Sequence, residues 1–89
     1  NFKKGARMDV IYLYGIFDKK SGYYDNPYFA VTDIYAKRRY LIMMEEKGSP
    51  LKLFKDEFEL HKCGSFDIQT GKVEQFSEVM LEGKQLPVD

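Results

Sequence analysis

Two apolar, strand-like runs in this chain each end in the same polar interruption, and each is followed by a second extended run. The first run, residues 9–17, puts Val10, Tyr12, Tyr14 and Ile16 on one side and Ile11, Leu13, Gly15 and Phe17 on the other. A strand with two apolar sides is central in its sheet and covered on both faces, or it keeps one side as an open tyrosine face. Gly15-Ile16-Phe17-Asp18-Lys19-Lys20-Ser21-Gly22 closes the run, and Gly64-Ser65-Phe66-Asp67-Ile68-Gln69-Thr70-Gly71 repeats its pattern. In each copy the Asp oxygen can accept from backbone N–H groups two or three residues on. The last Gly can take the positive φ that finishes a tight reversal. Both copies therefore read as β-hairpin turns, and the echo is better explained by shared turn chemistry than by duplication.

The return strand of the first hairpin starts at Tyr23 and Tyr24. It is interrupted by Asp25-Asn26-Pro27, because proline brings no donor to a ladder, and it resumes over 28–31. A helix is predicted over 32–47. Thr32 is its cap, Asp33 lies in the first turn where a carboxylate suits the helix dipole, and Asp33 and Lys37 stand one turn apart. Gly48 and Ser49-Pro50 stop it. Ala36, Tyr40, Met43 and Met44 form one helical stripe, the expected core face. Ile34 with Leu41, and Tyr35 with Ile42, lie on other sides. One face of a small sheet needs only one stripe, so these four residues are the expected partner interface, for a homodimer or another tightly bound protein.

Residues 51–56 read as a loop that forms an apolar flap over the helix end. A third strand is predicted over 57–65 with Phe58 and Leu60 inward, and a return strand over 72–76. A short helix is expected over 77–83, capped by Ser77, with Val79, Met80 and Leu81 as its apolar content. The sum is one α+β domain over residues 8–83. Two β-hairpins form a mainly antiparallel sheet of about four strands, with one helix packed on a face. Residues 1–7 are read as a leader, and residues 84–89 as a tail.

Composition narrows the class. The 89 residues are 44% hydrophobic and 16% aromatic, which suits a folded domain of small size. Fourteen basic residues balance fourteen acidic ones. No global field draws the chain to nucleic acid or to an anionic membrane, so any such binding needs a local patch. The single cysteine, Cys63, allows no internal disulfide and fits a reducing cytoplasm. No apolar run approaches the ~20 residues of a membrane span.

Catalytic and metal chemistry find little support. His61 and Cys63 share a strand face, yet Glu59 and Asp67 do not complete a known metal spacing with them, so neither a metal nor another cofactor is expected. Neighbours on one strand face rarely meet in attack geometry, and Asp18 and Asp67 are each occupied in a turn, so no enzyme is expected. The two Gly-ended turns do not precede helices, as phosphate-cradling loops must.

Single-stranded nucleic acid remains the binding mode that this composition can serve. It asks for cations beside exposed rings. Lys19 and Lys20 stand next to Tyr23 and Tyr24 at the first turn; Lys37, Arg38 and Arg39 lie on the helix with Tyr40; Tyr12 and Tyr14 would line an open sheet face between them. The competing reading makes the lysines ordinary solvated turn residues and the tyrosines core.

The order of motifs resembles a known family. Tyr14 to Gly22 opens it, Pro27-Tyr28-Phe29-Ala30 and Asp33 continue it, and Asp56-Glu57-Phe58-Glu59-Leu60 leads to Gly64-Ser65-Phe66-Asp67 and Thr70-Gly71. This arrangement, covering about residues 11–73, is similar to the small nonstructural protein of gokushoviruses, tailless single-stranded DNA phages of the microvirus group. The chain departs from that pattern at Val31-Thr32, where an Asn is usual, at Lys55, where Pro is common, and in a helix more basic and aromatic than the usual alanine-rich one. The resemblance implies a protein made in the host bacterial cytoplasm, absent from the mature capsid. It would assist the stage at which genome copying turns to single strands and packaging, with single-stranded DNA or phage replication and assembly proteins as partners. It carries no catalytic residues to transfer.

Overall fold

A computed structural model describes residues 9–87; the expected leader 1–7 lies outside them. Strand β1 (Val10–Asp18) and β2 (Tyr23–Ala30) form the first hairpin, and β3 (Phe58–Asp67) and β4 (Val73–Glu82) form the second. The four pair antiparallel in the order β2-β1-β3-β4. Helix α1 (Asp33–Met44) carries the chain from the outer strand β2 back across one sheet face, so that β3 can pair with β1. The fold is the expected α+β sheet of two hairpins with one helix on a face.

The two turns are chemically alike, as their shared motif demands. Asp18 Oδ1 accepts from the backbone N–H of Lys20 at 2.9 Å and of Ser21 at 3.4 Å; Asp67 Oδ1 accepts from Gln69 at 2.9 Å and Thr70 at 3.2 Å. Gly22 and Gly71 close the reversals at φ of 81° and 79°. The Thr32 hydroxyl accepts from the Tyr35 N–H and caps α1.

The core lies between α1 and the inner sheet face. Tyr14, Ile16 and Leu60 from the two central strands, and Tyr28 from β2, meet Ala36, Tyr40 and Met44 of the helix, with Leu51 closing one end. Three tyrosines in so small a core require places for their hydroxyls. Tyr14 donates to Asp33 Oδ1 at 2.6 Å and Tyr28 to the Ala36 carbonyl at 2.7 Å. The Tyr40 hydroxyl is buried without a hydrogen-bond partner among the described residues. Burial pushes the Tyr28 and Tyr40 phenols up to about 12. Removing an unsatisfied buried hydroxyl relieves its desolvation, whereas removing a satisfied one abandons its partner. Tyr40→Phe is thus expected to stabilise the domain by about 1 kcal/mol, and Tyr28→Phe to destabilise it by about as much, in urea titrations.

Three expectations give way. The short helix over 77–83 is a strand: β4 runs to Glu82 and pairs with β3 throughout. Its three consecutive apolar residues arise because Val79 faces His61 and Leu81 faces Leu60, leaving Met80 as an inserted residue at a bulge. The loop over 51–56 contains a helical turn, α2 (Pro50–Leu53), capped by the Ser49 hydroxyl. Only Leu51 of this segment enters the core; Leu53 and Phe54 face solvent. Within the tail beginning at residue 84, Lys84 and Gln85 belong to a 3-10 turn (Gly83–Gln85), and the Lys55 ammonium donates to the Leu86 carbonyl at 2.6 Å.

Candidate functional site

Alternation along β1 sends Tyr14 and Ile16 toward the helix and Ile11, Leu13, Gly15 and Phe17 to the far face. Helix α1 covers only the first side. The open sheet face therefore exists, but it is not the tyrosine face. Tyr14 is wholly buried, 0% exposed, with its hydroxyl spent on Asp33. It cannot stack on a base, and neither can Tyr40 of the helix, also 0% exposed, which corrects the expectation for both residues. Tyr12 is half-buried on the same side, with the Lys62 ammonium 3.9 Å from its ring centre. Lys62 also pairs with Asp33 at 2.9 Å.

Asp33 is thus an anchor between helix and sheet. Burial would raise its carboxyl, but hydrogen bonds from Tyr14 and Lys62 and the charges of Lys62 and Lys37 outweigh this and hold it below the ordinary carboxylate range. A folded-state value below the unfolded one stabilises the fold above the unfolded value near ~3.9 and is lost as pH falls through the folded one. Thermal melts should accordingly lose midpoint temperature below about pH 4, and Asp33→Asn should flatten that acid limb.

The first-turn candidates divide. Lys19 lies 3.8 Å from Glu59 Oε2, while Lys20 and Tyr23 are exposed. The Tyr24 hydroxyl is 2.7 Å from His61 Nδ1, and His61 Nε2 is 2.8 Å from Glu59 Oε1. A carboxylate only accepts, so Nε2–H donates to Glu59, and Nδ1 and the Tyr24 hydroxyl share the other hydrogen bond. These contacts hold the Tyr24 ring against Phe17 and His61, with about half of the residue still exposed. Burial pushes the Cys63 thiol up, away from the reactive thiolate. Among the described residues, no three His, Cys, Asp or Glu side chains converge to hold a metal.

Two of the three basic helix candidates, Arg38 and Arg39, gather into one groove. Tyr35, Arg38, Arg39 and Ile42 lie at i, i+3, i+4 and i+7, so they share one helix face beside the end of β2. With Phe29 and Val31 they line an open groove of about 550 Å³. The Arg38 guanidinium carbon lies 5.9 Å from the Tyr35 ring centre, and that of Arg39 lies 4.7 Å from the Tyr28 ring centre. These contacts steady the arginines while leaving donors free for an anion. Lys37 is half-buried beside them in sequence, on the Asp33 side. The expected interface residues are all exposed: Ile34 at 62%, Tyr35 at 58%, Leu41 at 43% and Ile42 at 66%. Two of them, Tyr35 and Ile42, belong to the groove itself.

Phe29 is a groove residue that sequence reasoning did not single out. The signal was present: if Tyr28 faces the core, strand alternation turns Phe29 outward, and it is 50% exposed. Its ring also meets Phe66 edge-on at 6.4 Å.

A family model described as Phage ORF5 protein matches residues 11–86, from β1 to just beyond the final 3-10 turn. The chain belongs to the phage ORF5 protein family. This phage protein thus has its hairpins, helix and groove all within the family's span. No curated protein and no solved structure matches it. Among its described residues, no helix is long and apolar enough to cross a membrane.

Proposed function

We propose that this phage protein is a noncatalytic accessory factor in the production or packaging of a single-stranded DNA genome, acting in the host bacterial cytoplasm by binding single-stranded DNA. The resemblance of its motif order to the gokushovirus small nonstructural protein supports the setting. The observation that carries the binding mode is the groove in which Arg38 and Arg39 flank the exposed rings of Tyr35 and Phe29. Guanidinium groups take phosphates, and aromatic faces take bases at about 1–3 kcal/mol per base stacked. Such a site needs no net positive charge on the chain, only this local pair.

A fluorescence anisotropy titration with labelled oligothymidine tests it. Saturable binding is expected at low salt, with affinity falling steeply as salt rises. Flat anisotropy at low salt with protein in large excess rejects DNA contact.

A second reading has its own support. Ile34 and Leu41 lie outside the groove and outside the core, and both are exposed. They suit a phage replication or assembly protein that docks along α1 without nucleic acid. Under that reading Ile34→Lys abolishes partner binding, and the arginines are dispensable.

A further inference from the structure

The sheet face opposite α1 bears the larger unexplained surface. Register places Ile11 beside Phe66 and Phe66 beside Val73, and it places Leu13 between Phe29 and Gly64, with Gln75 beyond. These residues share the far face, and no described element covers them. Phe29 and Val73 are exposed, and Ile11, Leu13 and Phe66 are half-buried. Layered domains close such a face against a second layer.

We infer that a second copy of this chain supplies that layer, the two sheets stacking face to face about a two-fold axis. Three observations select this occupant. The part of the face from Ile11 to Gln75 carries no charged side chain, so it offers nothing to phosphates or to an acidic or basic partner. The face can meet itself without like charges being brought together, and the chain's formal net charge is zero. Its size suits a small, weak self-contact: the uncharged part spans four strands ~4.8 Å apart over about five residues at ~3.3 Å each, roughly 320 Å² before side-chain relief is added, under half of the ~800 Å² per partner of a standard interface. The charged end of the same face, Glu59 with His61 and Lys19, is already internally paired and lies beyond the apolar stretch. The arrangement leaves Arg38 and Arg39 outside the contact, with Phe29 at its rim.

Size-exclusion chromatography with light scattering on the full chain is the test. The expected mass is that of two chains at tens of micromolar. Phe66→Lys should halve it with an unchanged circular dichroism spectrum. Val73→Lys, at a position 68% exposed and outside the core, should raise the dissociation constant by at least about tenfold, because it buries a charge in the contact. Ile42→Lys, on the helix, should leave the dimer intact. If Phe66→Lys fails to fold, the Val73→Lys arm decides. A monomer at all concentrations overturns the inference. So does a dimer that withstands Val73→Lys, or one that Ile42→Lys dissolves while Val73→Lys does not.

Discussion

Gly64→Ala is expected to destabilise the domain by about 3 kcal/mol, near the upper end for an overpacked site. Gly64 sits in the middle of β3, between β1 and β4, and is buried. A methyl group there would drive into the carbonyl oxygen of Glu74 on the neighbouring strand and crowd the Gln75 Cα at 3.4 Å. Neither is the loose end of a flexible side chain, so β4 must move as a strand. The register shifts around Cys63 leave Glu74 and Gln75 held close at this point. Equilibrium urea denaturation measures the loss. An unchanged midpoint would mean that β4 approaches β3 less closely here than described. The matching Gly15 is a milder case, since its added carbon would meet the Tyr24 ring at 3.2 Å, and a ring can shift.

The second large effect concerns binding. The double substitution Arg38→Glu/Arg39→Glu should weaken affinity for oligothymidine on the order of 100-fold at low salt, and it should reduce the slope of log affinity against log salt by about 1.4, two phosphates' worth for a single strand. Phe29→Ala should cost about tenfold and leave that slope unchanged, because a lost stacking platform removes no counterion release. All three positions are at the surface, so folding should be unaffected. Glu substitution at Lys20, exposed in the first turn, separates the groove from the turn patch: it should change affinity far less than the helix pair. Equal losses at Lys20 and at the arginines would indicate diffuse electrostatic attraction and no organised site.

Much of this fold is legible in the residues because its turns are written in side-chain chemistry. Asp18 and Asp67, with Gly22 and Gly71, specify reversals that need no tertiary help, and Thr32 caps the helix in the same local way, whereas the stop expected at Gly48 is late: the helix ends at Met44 with Glu45 as its C-cap, and Gly48 belongs to the turn that follows. What escaped was non-local. Tyr12 and Tyr14 share a strand face, and nothing in β1 alone says that α1 will lie over Tyr14; that depends on where the crossover from β2 lands. Strand β4 looked helical at 79–81 because a bulge against β3 breaks its alternation, and a bulge is a property of two strands. The candidate site was half visible. Arg38, Arg39 and Tyr35 follow from helical spacing, while Phe29 joins them only once β2 ends alongside the helix. Gly64 lies in the predicted third strand as the opening residue of the turn motif, and the reason for a glycine there, the approach of another backbone, is visible only in the paired strands.

The claim on which the functional account stands is that the groove between the end of β2 and the outer side of α1 is where single-stranded DNA is held. Titrating isotope-labelled protein with oligothymidine and following backbone amide shifts by NMR tests it most directly. The account predicts saturable shifts concentrated at Phe29, Val31, Tyr35, Arg38, Arg39 and Ile42, with β4 unmoved. Shifts confined to β4 or the second hairpin turn, or none at saturating oligonucleotide, would contradict it.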